Sequence, residues 1–473
     1  GFLPYLAIAF LNASVDLAHK ITIQNVLLKT YSGDTLFILT AVINAMILLP
    51  FIFLFSPSSF INDKFAKTKV IRICAVFGVV ISVAVLISYL LGAFGVAFAL
   101  TLILAAQSAI YSPAKYGIIK ALVGTERLGT ANGVIQALTI VAILVSSFLF
   151  SFIFENLYIQ GENSEEILKS VYPIGIFLVV FSALEAFFAY KLPYISETNE
   201  QSGEFELKRY ISLSYLRENL KEVRSDKNIW LSIAGLSIFW GISQIIIAAF
   251  PAHYKAVFND DSSLAVQAIL AVSAIGIAFG SYVAGSMSKL HIELGIVPMG
   301  AIGIFFSLLF FAFGSSIGVV SLSSFAFGFF GGIFIVPLNA MIQYFAPQKS
   351  TGKIMAANNF LQNVSMLLFL AIGIGLVYFE ISTTGLFVFT ALVCLVGSFY
   401  AILQLPHLFT RLLLLPFLKT KYRFFVEGLQ NLPQSGGALL LGNHISWIDW
   451  LVLQAASPRG IRFVMYRTIY NKW

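Results

Sequence analysis

Twelve apolar runs, each long enough to cross a bilayer, constrain this chain more than any other feature. A crossing helix needs about 20 apolar residues, and such runs lie at 3–28, 35–56, 70–91, 94–114, 130–154, 172–192, 229–254, 264–288, 294–313, 318–345, 354–379 and 384–405. In hydrocarbon the backbone must satisfy its own polar groups, so these runs are expected as helices. Composition agrees: 59% of residues are hydrophobic and 11% charged, whereas soluble domains carry about 25% charged residues. A water-soluble globule is excluded. The net charge of +7 informs through its placement. Seventeen Lys and Arg crowd one alternating set of loops, and three (Lys29, Lys169 and Lys255) occupy the other. By the positive-inside rule the crowded set is cytoplasmic, which puts both ends of the bundle inside and the loop around Glu162, Glu165 and Glu166 outside. The opening segment does not read as a signal peptide, because it lacks a basic leader and carries Asp16, His19 and Lys20 in its middle. Cys74 and Cys394 sit in apolar runs and predict neither a disulfide framework nor a metal site. No cofactor and no nucleic-acid partner is expected.

The polar stretch 193–228 divides the spans six and six. Within it, 213–224 places Leu213, Leu216, Leu220 and Val223 on one face of a short surface helix. The two halves also repeat. Ser59-x3-Asp63-Lys64 corresponds to Gly285-x3-Lys289, Pro113 to Pro337, Ala131-Asn132 to Ala357-Asn358, and Leu6-x-Ile8-Ala9-x-Leu11 to Leu231-x-Ile233-Ala234-x-Leu236. A nearly constant offset at four places predicts parallel repeats, two six-helix bundles related by an axis along the membrane normal. This layout resembles the major facilitator superfamily. The loop from Ser59 to Lys69 resembles that superfamily's signature at Asp63, Lys64 and Lys69, whereas Ser59 and Ala66 replace glycines and Thr68 replaces a base. The resemblance implies that Asp63, Lys64 and Lys69 form a conformational latch between helix ends. In the second half Lys289 stands where the acid would be.

Charged side chains at membrane depth are costly and become functional candidates. The first span carries Asn12, Asp16, His19, Lys20, Gln24 and Asn25. Spacings of three and four put Asn12, Asp16, His19 and Lys20 on neighbouring turns of one face, and Asp16 can reach Lys20 at i, i+4. One reading is a neutralised pair that specifies packing; the other is a headgroup or ion site on a cavity wall. The repeat partner of this helix has Gly241 opposite Asp16 and Gln244 opposite His19, an asymmetry that packing alone does not require. Lys115 either snorkels to the surface or binds phosphate as a point charge. Trp240, Gln244, Asn339 and Gln343, with His253, are the candidates for the opposite wall, although His253, near the outer end of its span, reads as an interfacial residue rather than a ligand; Glu185 is a buried acid without an assigned partner.

After Leu405 a run too short to span, 406–416, is followed by Lys419, Lys421 and Arg423 and fits an interfacial segment. Gly437–Gly442 reads as a short buried strand, with a turn at Gly442-Asn443 that starts a helix. His444 thus falls at a corner, with Asp449 five residues on. Gly442-Asn443-His444-Ile445-Ser446-Trp447-Ile448-Asp449 resembles the first block of the glycerophospholipid acyltransferases. The resemblance implies that His444 abstracts a proton from a glycerol hydroxyl while Asp449 orients the imidazole.

The expected fold is an all-α polytopic membrane protein. Its twelve-helix major facilitator fold comprises an N-terminal bundle (1–192), a linker (193–228) and a C-terminal bundle (229–405). An interfacial segment and the start of an α/β acyltransferase domain follow (406–473). The whole chain resembles the lysophospholipid transporter family in its form fused to 2-acylglycerophosphoethanolamine acyltransferase. That resemblance implies transfer of lysophosphatidylethanolamine from the outer to the inner leaflet of a bacterial inner membrane. It further implies reacylation there, acyl carrier protein as a partner, and more acyltransferase sequence beyond residue 473. Membrane lipids are the remaining partners. The rival readings are a cation-coupled exporter of amphiphilic drugs and an acyltransferase whose spans only dock it.

Overall fold

The structure is a computed structural model that describes residues 2–123, 128–161, 163–195, 206–288, 292–347, 351–421, 425–428, 431–433, 436–457 and 459–464. Arg127, Glu162, Lys289 and Lys349 lie outside the described residues, as do the side chains of Ser59, Asp63, Lys120, Ala131 and Asn132.

Helices account for nearly all of the bundle. In the first half α1 (Phe2–Thr30) and α2 (Gly33–Phe53) lead into the short α3 (Phe55–Lys64). Next come α4 (Lys67–Leu91), α5 (Phe94–Gly117), α6 (Ile119–Val123), α7 (Leu128–Leu157), α8 (Ser164–Ser170) and α9 (Tyr172–Tyr190). The linker contributes α10 (Leu207–Ile211) and α11 (Ser214–Arg224). The second half comprises α12 (Lys227–Phe258), α13 (Ser263–Met287), α14 (Ile296–Phe313), α15 (Ile317–Phe345), α16 (Thr351–Tyr378) and α17 (Thr383–Gln404). Beyond it lie α18 (Pro406–Lys421) and α19 (Asp449–Ala456). Eleven helices are long and apolar enough to cross a membrane, judged on the described residues. The 30-residue α7 occupies the place of the other expected span. The second run stops earlier than its apolar character suggests, because α2 ends at Phe53 and α3 starts afresh.

The outer surface is apolar, with Phe77, Val80, Phe310 and Val396 all exposed. That inverts a soluble protein and suits contact with lipid tails. Within the second half, α13 and α15 approach closely. Gly276 and Gly280 on α13 face Gly328 and Gly332 on α15, each pair four residues apart. A Cβ at Gly280 would lie 1.9 Å from the Phe329 carbonyl oxygen, and one at Gly328 would lie 1.8 Å from that of Ser273. Small residues at this spacing let helix backbones touch where lipid gives no hydrophobic drive to associate.

Among the described residues the halves share one hydrophobic core, at one end. Leu27, Leu28, Leu36 and Phe37 share a single core with Phe239, Ile245, Phe250 and Phe387. At the other end, where the linker and α18 lie, the first half has its own core around Tyr5, Ile71 and Ile118. The second half has a separate one around Ile229, Ile233 and Ile342. The joined end, here the far end, is also locked by charge. Lys29 at the end of α1 sits 3.1 Å from both Glu155 of α7 and Asp261 before α13. Lys255 donates to the carbonyls of Leu28 at 2.7 Å and Tyr31 at 3.0 Å. The Glu155 carboxylate also accepts from the Ser263 amide and hydroxyl.

Candidate functional site

The polar residues of α1 do not act as one set. Asp16 turns to α5, where the Ser108 hydroxyl donates to its Oδ2 at 2.5 Å, while Oδ1 is buried without a hydrogen-bond partner. The expected Asp16–Lys20 pair is absent among the described residues. Ser108 takes the carboxylate to the side, and Lys20 is left partly exposed one turn on. Lys115 does not reach for the surface. Its ammonium turns inward to Asn12 Oδ1 at 3.5 Å, is buried, and lies within Coulombic range of both Asp16 and Glu185. Helix geometry allows this because Tyr5 of α1 donates to the Lys115 backbone carbonyl at 2.8 Å and holds the two helices together. Glu185 of α9 completes the cluster, with the Tyr111 hydroxyl beside its carboxylate. Two buried carboxylates thus share one lysine, and the Oδ1 of Asp16 has no donor. A cationic or zwitterionic guest supplies what such a site lacks.

Sequence reasoning saw Glu185 as a buried acid and left its partner open; only the crossing of α1, α5 and α9 supplies Lys115. Ser108 was missed, since a serine in an apolar span carries no distinguishing signal.

The remaining α1 residues divide. The His19 ring is fully buried, with Nδ1 2.9 Å from the Tyr89 hydroxyl and Nε2 3.1 Å from both the Ala97 carbonyl and Thr101 Oγ1. Both ring nitrogens are occupied by protein. Gln24 is buried, with its Nε2 unbonded.

Across the bundle, Gln244 donates to Met366 Sδ at 3.3 Å, and Trp240 packs edge-on against Phe239. Trp240, Gln244 and Asn339 are partly exposed and Gln343 is exposed. His253 is buried deep in the second half, 3.2 Å from the Thr383 hydroxyl and edge-on to Phe387. At the repeat position of Asp16, Gly241 packs tightly on the Phe369 ring. The Asp16 charge therefore has no counterpart at its repeat position.

At the expected latch, Lys64 lies over the Phe60 ring at 5.5 Å and Lys69 over Phe65 at 5.8 Å. The loop is tied down by its neighbours. Asn62 donates to the Ile110 carbonyl at 3.0 Å, and Arg72 donates to the carbonyls of Ala189 and Leu192 at the end of α9.

The second candidate site lies beyond α17. His444 Nδ1 is 2.9 Å from Asp449 Oδ2, which also accepts from the amides of Ile445 at 2.6 Å and Ser446 at 2.8 Å. Asp449 opens α19, and these amide donors hold its carboxyl below the usual carboxylate range. Because the carboxylate only accepts, Nδ1 carries the proton and Nε2 presents its lone pair outward on a side chain that is 76% exposed. The strand expected at 437–442 is not formed. Leu439 and Leu441 are exposed, and no partner strand lies beside them among the described residues, so no ladder can form.

The segment is nonetheless anchored. Arg411 of α18 donates to Glu293, before α14, at 2.8 Å and to the Ala455 carbonyl of α19 at 2.9 Å, with both ion-pair side chains 8% exposed.

Comparison with known proteins agrees with both halves of this description. The Major Facilitator Superfamily profile matches residues 6–370, and the Acyltransferase profile matches residues 423–473. The Lysophospholipid transporter LplT of Photorhabdus laumondii subsp. laumondii is 30% identical over 268 residues, covering 56% of this chain and 63% of that protein. The same-named protein of Yersinia pestis (strain Pestoides F) is 27% identical over 318 residues, covering 66% and 71%. The chain thus spans less than two thirds of the length of the first of these relatives. Among solved structures, the nucleoside transporter NupG superposes with a TM-score of 0.61 at 15% identity, covering 85% of this chain and 98% of that one. A POT family transporter in complex with a thioalcohol-conjugated peptide superposes with a TM-score of 0.64 at 11% identity, covering 85% and 96%. At such identities the likeness shows the fold alone. With two six-helix halves in repeat and a profile match across most of its length, the chain belongs to the Major Facilitator Superfamily, and its residues 423–473, after the last span, match the Acyltransferase family.

Proposed function

We propose that the chain carries lysophosphatidylethanolamine from the outer to the inner leaflet of a bacterial inner membrane, for reacylation by an acyltransferase that includes the His444–Asp449 segment. The linker end is then cytoplasmic, and the joined far end is the closed outer gate. The observation that carries this reading is the coexistence in one chain of the Asp16–Lys115–Glu185 cluster and the His444–Asp449 dyad. A zwitterionic headgroup suits the cluster: its ammonium meets the two carboxylates while its phosphate meets Lys115. The relatives named lysophospholipid transporters support the same substrate class. Binding roles for Asn12, Lys20, Gln24, Trp240, Gln244, Asn339 and Gln343 belong to this proposal. His19 is left out, because its ring nitrogens are taken.

At the dyad, His444 Nε2 removes the proton from the free glycerol hydroxyl. The oxygen attacks the carbonyl carbon of an acyl thioester, here proposed to be borne by acyl carrier protein. The C–S bond then breaks, and the proton passes from the imidazolium to the departing thiolate. Asp449 stabilises the imidazolium throughout.

Cells fed labelled lysophosphatidylethanolamine test the scheme. Asp16→Asn is expected to stop entry of the label. His444→Ala is expected to leave entry intact and stop conversion to the diacyl lipid. Export of amphiphilic dyes without lysolipid entry would establish the rival carrier instead.

A further inference from the structure

The second half contains a crevice that neither the Asp16 cluster nor the dyad uses. It has a volume of about 230 Å³ and lies between α12, α14, α15 and α17, inside one bundle. We propose that it holds the acyl chain of a single-tailed lipid, a lysophospholipid delivered to the linker-end leaflet, beside the acyltransferase segment. The proposal rests on the carrier reading above.

The chemistry of the walls is that of a tail site. Ile238, Phe239 and Leu338 line the interior, and the polar groups gather at one end, at Asn228, Ser232 and Gln404. Pockets of this kind fix a ligand through a few polar groups at the edge of an apolar body. A cation sits at that same edge, where Lys227 donates to Gln404 at 3.2 Å. A basic side chain at the rim of an apolar slot at membrane level suits a phosphate with a tail attached. The crevice reaches lipid through partly open walls: Tyr400 is 48% exposed, and the Cβ position of Gly397 faces open space. A crevice of about 230 Å³ is roomy enough for part of an acyl chain.

The position is as specific as the chemistry. Leu294 and Leu405 both line the crevice. Leu294 follows Glu293, whose carboxylate grips Arg411, and Leu405 precedes the first residue of α18. Arg411 in turn holds the end of α19, the helix that begins with Asp449. The buried ion pair therefore fixes the dyad's segment to the wall of the crevice. The anchor contacts belong to the second half, so the segment and the crevice move together if the halves rock.

A lysophosphatidylethanolamine with a photoreactive diazirine in its tail tests this in proteoliposomes of the intact chain. Label is expected on residues 231–242 and 393–401, reduced at least fivefold by excess unlabelled lysophosphatidylethanolamine. Gly397→Phe, which fills the open space, is expected to reduce it by a similar factor while the protein keeps its melting temperature. Labelling that ignores the competitor, or equal labelling by a diacyl phosphatidylethanolamine probe, overturns the proposal. Uptake of lysolipid by the unaltered protein separates the two failures. Uptake without crevice label defeats the tail site alone, and absence of uptake defeats the carrier reading on which it rests.

Discussion

Replacing Lys29 by Met should open the far end. The ammonium holds Glu155 and Asp261 at 3.1 Å each, and it lies 4.8 Å from the Tyr158 ring centre. Methionine keeps the length of the side chain and removes the charge. Asp261 is 42% exposed, so that contact contributes only about 0.2–1 kcal/mol. Glu155 lies in the same half as Lys29 and keeps its own bonds across to Ser263, so that pair does not enter the balance between the halves. The closed end should therefore lose up to about 1 kcal/mol, and at 1.4 kcal/mol per tenfold change the closed-to-open ratio falls by up to about fivefold. Spin labels at Ser32 and Ala256, both exposed near the far end of opposite halves, report it by double electron–electron resonance. Cys74 and Cys394 are first replaced by Ser so that only the introduced cysteines react. The variant should show a second, longer distance. An unchanged distribution would refute the assignment of this ion pair as the far-end gate.

Arg411→Ala removes the cation that faces the buried Glu293 carboxylate, a loss of about 3–5 kcal/mol where a buried pair is broken. Hydrogen exchange in 449–456 should accelerate while α14 stays protected, and unchanged exchange would show that other contacts hold the segment. Gly328→Val forces a side chain toward the Ser273 carbonyl and should destabilise the α13–α15 contact by about 1–3 kcal/mol, read as a lower melting temperature in detergent. Lys115→Met removes the cation shared by Asp16 and Glu185, and lysolipid uptake should fall at least tenfold while the protein remains folded by circular dichroism. His444→Ala should reduce acyl transfer by the ~10²–10⁴-fold typical of a lost general base; retained turnover would exclude that role.

The spans and the repeat were legible because apolar length and spacing survive without knowledge of partners. The fold follows from them almost directly, down to Pro113 and Pro337 at corresponding positions in α5 and α15. The cluster was half legible. Asp16, Lys115 and Glu185 announce themselves as charges in apolar runs, but the local i, i+4 rule suggested Lys20 for Asp16, and α5 supplied Ser108 instead. A helix face predicts neighbours along itself and not across a crossing. His19 illustrates the same gap: its partners come from the end of α4 and from α5, so sequence spacing within α1 could not reveal that the ring was satisfied. The strand expected at 437–442 had the right residues but no neighbour to pair with. Arg411 and Glu293, 118 positions apart, carry no pattern that links them before folding.

The central claim is that this bundle moves a single-tailed zwitterionic lipid between leaflets. Purified protein in vesicles, given fluorescent lysophosphatidylethanolamine from one side, measures that movement as the fraction shielded from extraction by albumin. The shielded fraction should grow with time, and Asp16→Asn should hold it at the level of protein-free vesicles. Equal shielding with and without protein, or growth unaffected by Asp16→Asn, would contradict the account.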